Sequence, residues 1–244
     1  MADISVLTGI ILRSAPAGEY DRRITLLTKE QGKITAFARG ARRPKSALGA
    51  ATGLFCFGTF EAYEGREAWT VVRAQIRNYL PEFSADYELT CWGSYFLELA
   101  DYFTRPGSEA ARELALLYQS LRALCSKSLE HRLVCRIYEL KTLVLFGVAP
   151  DVYSCGNCHT RENLISFSVR RRAVLCGSCA TGEGCEKLLP ATIYTLQYIV
   201  SSPVEKLYTF RVSEEVYRQI SRIIREYLAQ YVDKNLKTRA FLPE

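Results

Sequence analysis

Apolar and polar positions follow two different rhythms along this chain, and the change falls near residue 84. Before it, the apolar residues come in short, β-branched runs: Val6 to Leu12, Ile24 to Leu27 and Ile34 to Ala38. Runs of this length predict strands. Lys29-Glu30-Gln31-Gly32 separates the second run from the third and reads as a hairpin turn, with Gly32 free to take positive φ. Two further strands are predicted over Phe55–Tyr63 and Trp69–Gln75, joined through Glu64-Gly65-Arg66-Glu67. Five strands in so short a segment predict a small antiparallel barrel. An OB-type barrel is the leading arrangement and an SH3-like barrel the alternative.

After residue 84 the spacing becomes helical. Leu89, Trp92, Tyr95, Phe96, Leu99 and Phe103 recur at steps of three and four. Pro106-Gly107 ends that helix, and Ser108 is placed to cap the next, which runs to Cys125. A third helix is predicted from Leu129 to Gly147, where a glycine followed by an apolar residue and Pro150 forms a stop signal. Pro190–Ser201 and Ser213–Tyr231 read as two more. The expected fold class is α+β. An N-terminal OB-type antiparallel β-barrel spans 1–80. A helical domain follows in two parts, 81–150 and 188–244, and carries a four-Cys zinc module at 151–187.

Composition adds direction. Hydrophobic residues make up 48% and charged ones 24%, as in an ordinary folded protein. The net charge is +6, and it is uneven. Residues 1–80 hold 12 Lys/Arg against 7 Asp/Glu, residues 81–150 hold 7 against 9, and residues 151–244 hold 13 against 10. An anion site is therefore expected in the first third. No secretory leader and no apolar run of membrane-spanning length is recognisable. Nine cysteines cannot all pair internally. A reducing cytoplasmic setting follows, in which Cys pairs read first as metal ligands.

Cys155-x-x-Cys158 and Cys176-x-x-Cys179 form two knuckles at the spacing of a four-thiolate zinc site. Two thiolates three positions apart on a tight turn can share one tetrahedral ion. Gly156 and Gly177 follow the first Cys of each pair, where a knuckle wants a small residue. Leu164–Val169 and Arg172–Leu175 are expected to form a two-stranded ribbon between them. A complete shell leaves no open position, so the expected role of Zn2+ is structural. Four incidental cysteines or a redox pair are the alternatives, and His159 or Cys185 could substitute as a ligand.

Catalytic signals are lacking. Gly32-Lys33 resembles the end of a phosphate loop, but Ile34 follows and position 27 is Leu. Of the two histidines, His131 sits between Glu130 and Arg132 and reads as a surface residue. No paired carboxylates or nucleophile elbow stand out, and no enzymatic activity is expected. The basic segment Arg39-Gly40-Ala41-Arg42-Arg43-Pro44-Lys45-Ser46 is the stronger feature. It has few apolar groups and is expected to be mobile without a ligand. Arg39, Arg42, Arg43 and Lys45, with Arg22, Arg23 and Lys33 on neighbouring strands, are candidates to neutralise phosphates. Phe37 would stack on bases only if it faces outward.

Several segments in sequence order resemble the RecO family of bacterial recombination mediators. They are Gly18-Glu19-Tyr20-Asp21, Thr25-Leu26-Leu27-Thr28, Gly32-Lys33, the run from Ala38 to Ser46, Arg136-Ile137-Tyr138-Glu139-Leu140-Lys141, and Phe146 to Asp151 leading into Cys155. The resemblance spans nearly the whole chain. It implies an OB barrel, a helical domain and a zinc module. It also implies binding of single- and double-stranded DNA, annealing of complementary strands and, with RecR, loading of RecA onto DNA coated by single-strand-binding protein. The implied DNA contacts fall on Arg39, Arg42, Arg43 and Lys45. A helical-domain site for the acidic C-terminal tail of single-strand-binding protein falls on Arg136, assisted by Lys141. RecF is a further partner that the resemblance raises, and the setting is the cytoplasm, at the nucleoid. The competing class is a nucleic-acid-processing enzyme, a nuclease or glycosylase, with a structural zinc module.

Overall fold

The first fifteen described residues already bend around a barrel. In the computed structural model, which describes residues 3–126, 128–181, 186–233 and 235–242, strand β1 (Ile4–Ala17) is 14 residues long. Its first half pairs with β4 (Phe57–Glu64) and its second half with β2 (Asp21–Thr28). A register shift between Ile11 and Arg13 lets the strand turn from one partner to the other, as bulges do in small barrels. β3 (Gly32–Ala38) and β5 (Trp69–Asn78) complete the closed order β1-β2-β3-β5-β4. All pairings are antiparallel except β3 with β5, which closes the barrel in parallel. This is the five-stranded OB-type arrangement.

Strict alternation builds the barrel core. Along β3, Ile34, Ala36 and Ala38 point inward while Lys33, Thr35 and Phe37 stay half-exposed. Ile24, Leu26, Phe60, Ala62, Trp69 and Val71 meet the inward set. Gly32 takes φ +63° in the β2–β3 turn, as expected, and the buried Thr28 hydroxyl donates to its carbonyl at 2.9 Å.

The chain divides into two compact units, residues 1–125 with 236–244, and residues 126–235. In the first, the barrel is joined by three short or regular helices: α1 (Ala47–Ala51), α2 (Glu82–Ala85) and α3 (Tyr87–Phe103), followed by α4 (Ala111–Cys125). Asp86 caps α3 by accepting from the Leu89 N–H at 3.1 Å. The predicted stripe Leu89, Trp92, Tyr95, Phe96, Leu99, Phe103 is fully buried. Ser108 does not cap α4, which starts three residues later. The preceding segment docks instead on the β2–β3 turn: Gly107 N–H reaches Gln31 O at 3.1 Å and Ala110 N–H reaches Lys29 O at 2.9 Å. A 3-10 turn at Lys237–Phe241 returns to α3, held by Glu98.

The second unit packs α5 (His131–Leu145), α6 (Pro190–Ser201) and α7 (Glu214–Leu228) beside a ribbon of β6 (Leu164–Ser168) and β7 (Ala173–Cys176). α5 is its central element, buried at every position from Leu133 to Leu143. It ends where expected: Val148 N–H bonds Leu143 O at 3.0 Å and Gly147, at φ +88°, bonds Val144 O. Ser213 caps α7 through Val216 N–H. Among the described residues no helix is long and apolar enough to cross a membrane.

Candidate nucleic-acid interface and metal centre

The basic segment leaves β3 at Ala38 and runs into α1. Arg39, Arg42, Arg43 and Lys45 are all exposed. The segment is nevertheless braced, in contrast to the mobile loop expected. Asp21 accepts from Gly40 N–H at 2.7 Å. Arg42 donates its N–H to Tyr20 O at 2.8 Å and one guanidinium nitrogen to the carbonyls of Gly18 and Glu19, each at 3.1 Å. The Arg43 guanidinium lies 5.1 Å from the centre of the Tyr20 ring. Apolar anchoring comes from the buried Ala41 and Ala51 and from Leu48 against the barrel core. Backbone and ring partners, rather than apolar bulk, fix this loop, and composition alone does not reveal them.

The strand cations separate into two kinds. Arg23 is exposed on β2, directly opposite Phe37, which is half-buried on the outer surface of β3 and outside the core. This places a cation and an aromatic ring side by side on the strand face that OB folds use for oligonucleotides. Arg22 instead ties the barrel to α1, donating to Gly49 O at 3.2 Å. Lys33 sits near the other end of β3 in an ion pair with Asp101 at 3.3 Å, and Arg13 shares that carboxylate. Its charge is thus largely met within the chain. Tyr20 and Asp21 hold the loop, and the sequence marks them only by their place in Gly18-Glu19-Tyr20-Asp21.

The four cysteines of the two knuckles converge in the second unit. All four sulfur atoms lie within 4.8 Å of one another, and Cys158 Sγ is 3.6 Å from Cys176 Sγ. A tetrahedral ion with metal–sulfur bonds of about 2.3 Å sets its sulfurs about 3.8 Å apart, so the set fits such an ion. Local turns place them: His159 N–H bonds Cys155 O at 2.9 Å, and Ala180 N–H bonds Cys176 O at 2.8 Å. Cys176 N–H and Asn157 Nδ2 approach the sulfurs of Cys155 and Cys179 at 3.4 and 3.3 Å. Burial pushes the Cys155 thiol up, but N–H groups of Cys158, Cys176 and Asn157 outweigh it and bring the pKa down to about 6. These donors favour thiolate, the ligating form. The two glycines serve close packing: a Cβ on Gly156 would lie 2.6 Å from Ala173 Cβ, and one on Gly177 2.7 Å from Asn163 Nδ2. His159 is exposed and outside the sulfur cluster. Cys185 lies outside the described residues.

Arg136 and Lys141 occupy the interior of α5. Arg136 is 8% exposed, and its Nη1 lies 2.9 Å from Glu139 Oε2. Lys141 donates to the carbonyls of Ile199, Val200 and Ser202 at 3.2, 2.9 and 2.7 Å, closing the C-terminal end of α6. Burial lowers its pKa. His131, read as a surface residue, is half-buried at the first position of α5.

Two family models match the chain. The one described as "Recombination protein O N terminal" covers residues 1–80, and "Recombination protein O C terminal" covers residues 84–240. Among curated relatives, the chain is 30% identical over 237 residues to the DNA repair protein RecO of Acetivibrio thermocellus, covering 96% of this chain and 94% of that one. It is 30% identical over 239 residues to the protein of that name from Desulforamulus reducens, with 97% and 93% covered. For the Bacillus mycoides protein the figures are 29% over 244 residues, 97% and 95%.

Proposed function

Because the chain belongs to the RecO family of DNA repair proteins, we propose that it is a non-catalytic recombination mediator that grips nucleic-acid backbones with its first unit. In this reading it binds single- and double-stranded DNA, anneals complementary strands and, with RecR, helps load RecA onto DNA coated by single-strand-binding protein. RecF would join as a further partner, and the protein would work in the cytoplasm at the nucleoid.

The observation that carries the reading is the exposed set Arg39, Arg42, Arg43 and Lys45, on a loop braced by Tyr20 and Asp21. A preformed cationic loop loses little conformational freedom when it meets phosphates. Arg23 and Phe37 extend the surface along β2 and β3. Phosphate contacts carry no base code, so binding is indifferent to sequence. Neutralising two backbones at once lowers their mutual repulsion, which lets strands pair without nucleotide hydrolysis. Arg22 supports the loop by holding α1, while Lys33 pairs with Asp101 at the other end of β3.

In the same reading Cys155, Cys158, Cys176 and Cys179 hold a structural Zn2+ that keeps the ribbon folded, with a closed shell and no catalytic water. Arg136 and Lys141 support the site for the acidic tail of single-strand-binding protein indirectly, since both are buried and would shape the surface over α5 instead of touching the peptide.

The test is salt-dependent binding of single-stranded DNA by R39A/R43A/K45A, which keeps the Arg42 brace. Loss of three phosphate contacts lowers the log–log salt slope by about 2. Unchanged affinity and slope would remove this site. Annealing of strands precoated with single-strand-binding protein, without ATP, tests the mediator role. Cleavage or base release from labelled DNA with divalent metal ions would favour a nuclease or glycosylase.

A further inference from the structure

The second unit carries a cationic feature that the barrel reading does not use. Between residues 152 and 181 there are four arginines and one glutamate. Three of the arginines, Arg170, Arg171 and Arg172, are consecutive and exposed at the tip of the β6–β7 hairpin. Ser168 and Ala173 form the last pair of the ladder. Arg172 N–H closes the turn on Val169 O at 3.2 Å, and Arg171 N–H donates to Ser168 Oγ at 3.3 Å.

The tip is held firmly. Arg172 sits at φ +56°, a left-handed conformation that glycine would adopt at lower cost. A side chain is kept there, and its guanidinium lies over the Tyr231 ring, 5.4 Å from the centroid. The Arg172 carbonyl accepts from Asp151 N–H at 2.8 Å, and Val174 N–H donates to Asp151 O at 2.9 Å. The hairpin is thus flanked by a further backbone segment. The sulfur cluster staples its other end, where Cys176 ends β7. The first knuckle lies beside the start of β7, where Gly156 N–H donates to Val174 O at 2.9 Å.

Three exposed arginines of this unit are met by carboxylates, Arg132 by Glu130 and Glu214, and Arg218 and Arg222 by Glu186, whereas Arg161, Arg211 and Arg225 have no ion pair among the described residues. Among the described residues, no ion pair reaches Arg170 or Arg171. Two uncompensated guanidinium groups on a stiff hairpin suit a polyanion with closely spaced single charges, which is what a nucleic-acid backbone offers.

We propose that the β6–β7 tip, through Arg170 and Arg171, is a second contact for the nucleic-acid backbone, carried by the second unit and distinct from the basic loop of the barrel. The inference rests on the proposed DNA-binding role and adds a site to it. A protein that holds backbone on each of two units can engage two strands, or two stretches of one, at the same time.

The experiment measures binding of the full chain to a fluorescent oligothymidylate over a salt series. The variants are R170A/R171A, R170K/R171K, R39A/R43A/K45A and the combination of the first with the third. Metal content of each preparation reports that the ribbon is intact. The expected result is a several-fold weaker R170A/R171A whose log–log salt slope falls by about 1.4, from two lost single-strand phosphate contacts. R170K/R171K keeps the slope, and the combined variant is weaker than either parent. Should alanine at these positions cost the ribbon its metal, R170Q/R171Q is compared with R170K/R171K for the same difference in slope. Wild-type slope and affinity for R170A/R171A, in both backgrounds and with metal retained, overturn the hairpin contact while the barrel site stands. Failure of the wild-type chain to bind any oligonucleotide overturns the DNA-binding role beneath it. Binding of anionic lipid vesicles in place of oligonucleotides through these arginines would also overturn the proposal.

Discussion

Replacing Arg136 by Ala separates two roles for that residue. Arg136 and Glu139 lie one turn apart on α5, with side chains 9% and 1% exposed and charged atoms 2.9 Å apart. Alanine withdraws the cation and leaves a buried carboxylate short of its counter-charge. Breaking a buried pair in this way costs about 3–5 kcal/mol, because the orphaned charge keeps its desolvation penalty. At 1.36 kcal/mol per decade this corresponds to roughly two to four decades in the opening equilibrium of α5. Hydrogen-exchange mass spectrometry on α5 peptides is the direct assay, since both tryptophans, Trp69 and Trp92, lie in the other unit and report elsewhere. A second variant, R136M/E139L, replaces the pair by apolar groups of similar bulk and is expected to be near neutral or more stable. Wild-type exchange rates in R136A would refute the burial argument. If they came with lost affinity for an acidic peptide, Arg136 would be a direct contact residue.

Three further outcomes are expected. The double substitution C176S/C179S should abolish stoichiometric zinc, read by metal analysis of purified protein, and release protection in the ribbon; an undiminished zinc content would exclude these ligands. Glu98 feels burial, which raises its pKa, but the Thr238 hydroxyl and the N–H groups of Thr238 and Lys237 prevail and hold it below its ordinary value. Its stabilising contribution is therefore complete above the ordinary carboxylate pKa and lost as pH falls through the depressed one. The 237–241 segment should become protease-sensitive in acid, and E98Q should show that sensitivity at neutral pH. Gly32→Ala forces a side chain into φ +63° with its Cβ 2.5 Å from Arg105 O; thermal unfolding should report a loss of at least about 1–2 kcal/mol from the backbone alone.

Much of this architecture can be read from local spacing. The apolar runs mark all five barrel strands because a closed barrel buries one face of each, and period-two alternation survives along β3. The Leu89–Phe103 stripe is legible for the same reason at helical period. Cysteine knuckles are the most local signal of all, since two ligands share each turn. Long-range partners are not legible. β1 runs past its predicted end because a bulge lets it serve two neighbours. α1 is hidden in Ala47–Ala51, where small residues resemble a loop until Leu48 and Ala51 meet the barrel. α5 is buried on all sides, so it lacks the polar face that would have marked Arg136 and Lys141 as interior. Lys33 looked like the other strand cations, but Asp101, 68 residues away, takes its charge. The arginines at the hairpin tip resemble an ordinary solvated turn until the anchoring of Arg172 is seen.

Closure of the barrel has an evolutionary consequence. Every strand has a neighbour on each side, β3 and β5 over only three residue pairs, so the sheet offers no full-length edge for an incoming strand to extend. Docking on this unit falls mainly to outward side chains and connecting loops, each of which can mutate while the alternating interior stays fixed. Such a scaffold lets lineages retune affinity for their ligands one exterior position at a time without renegotiating the fold.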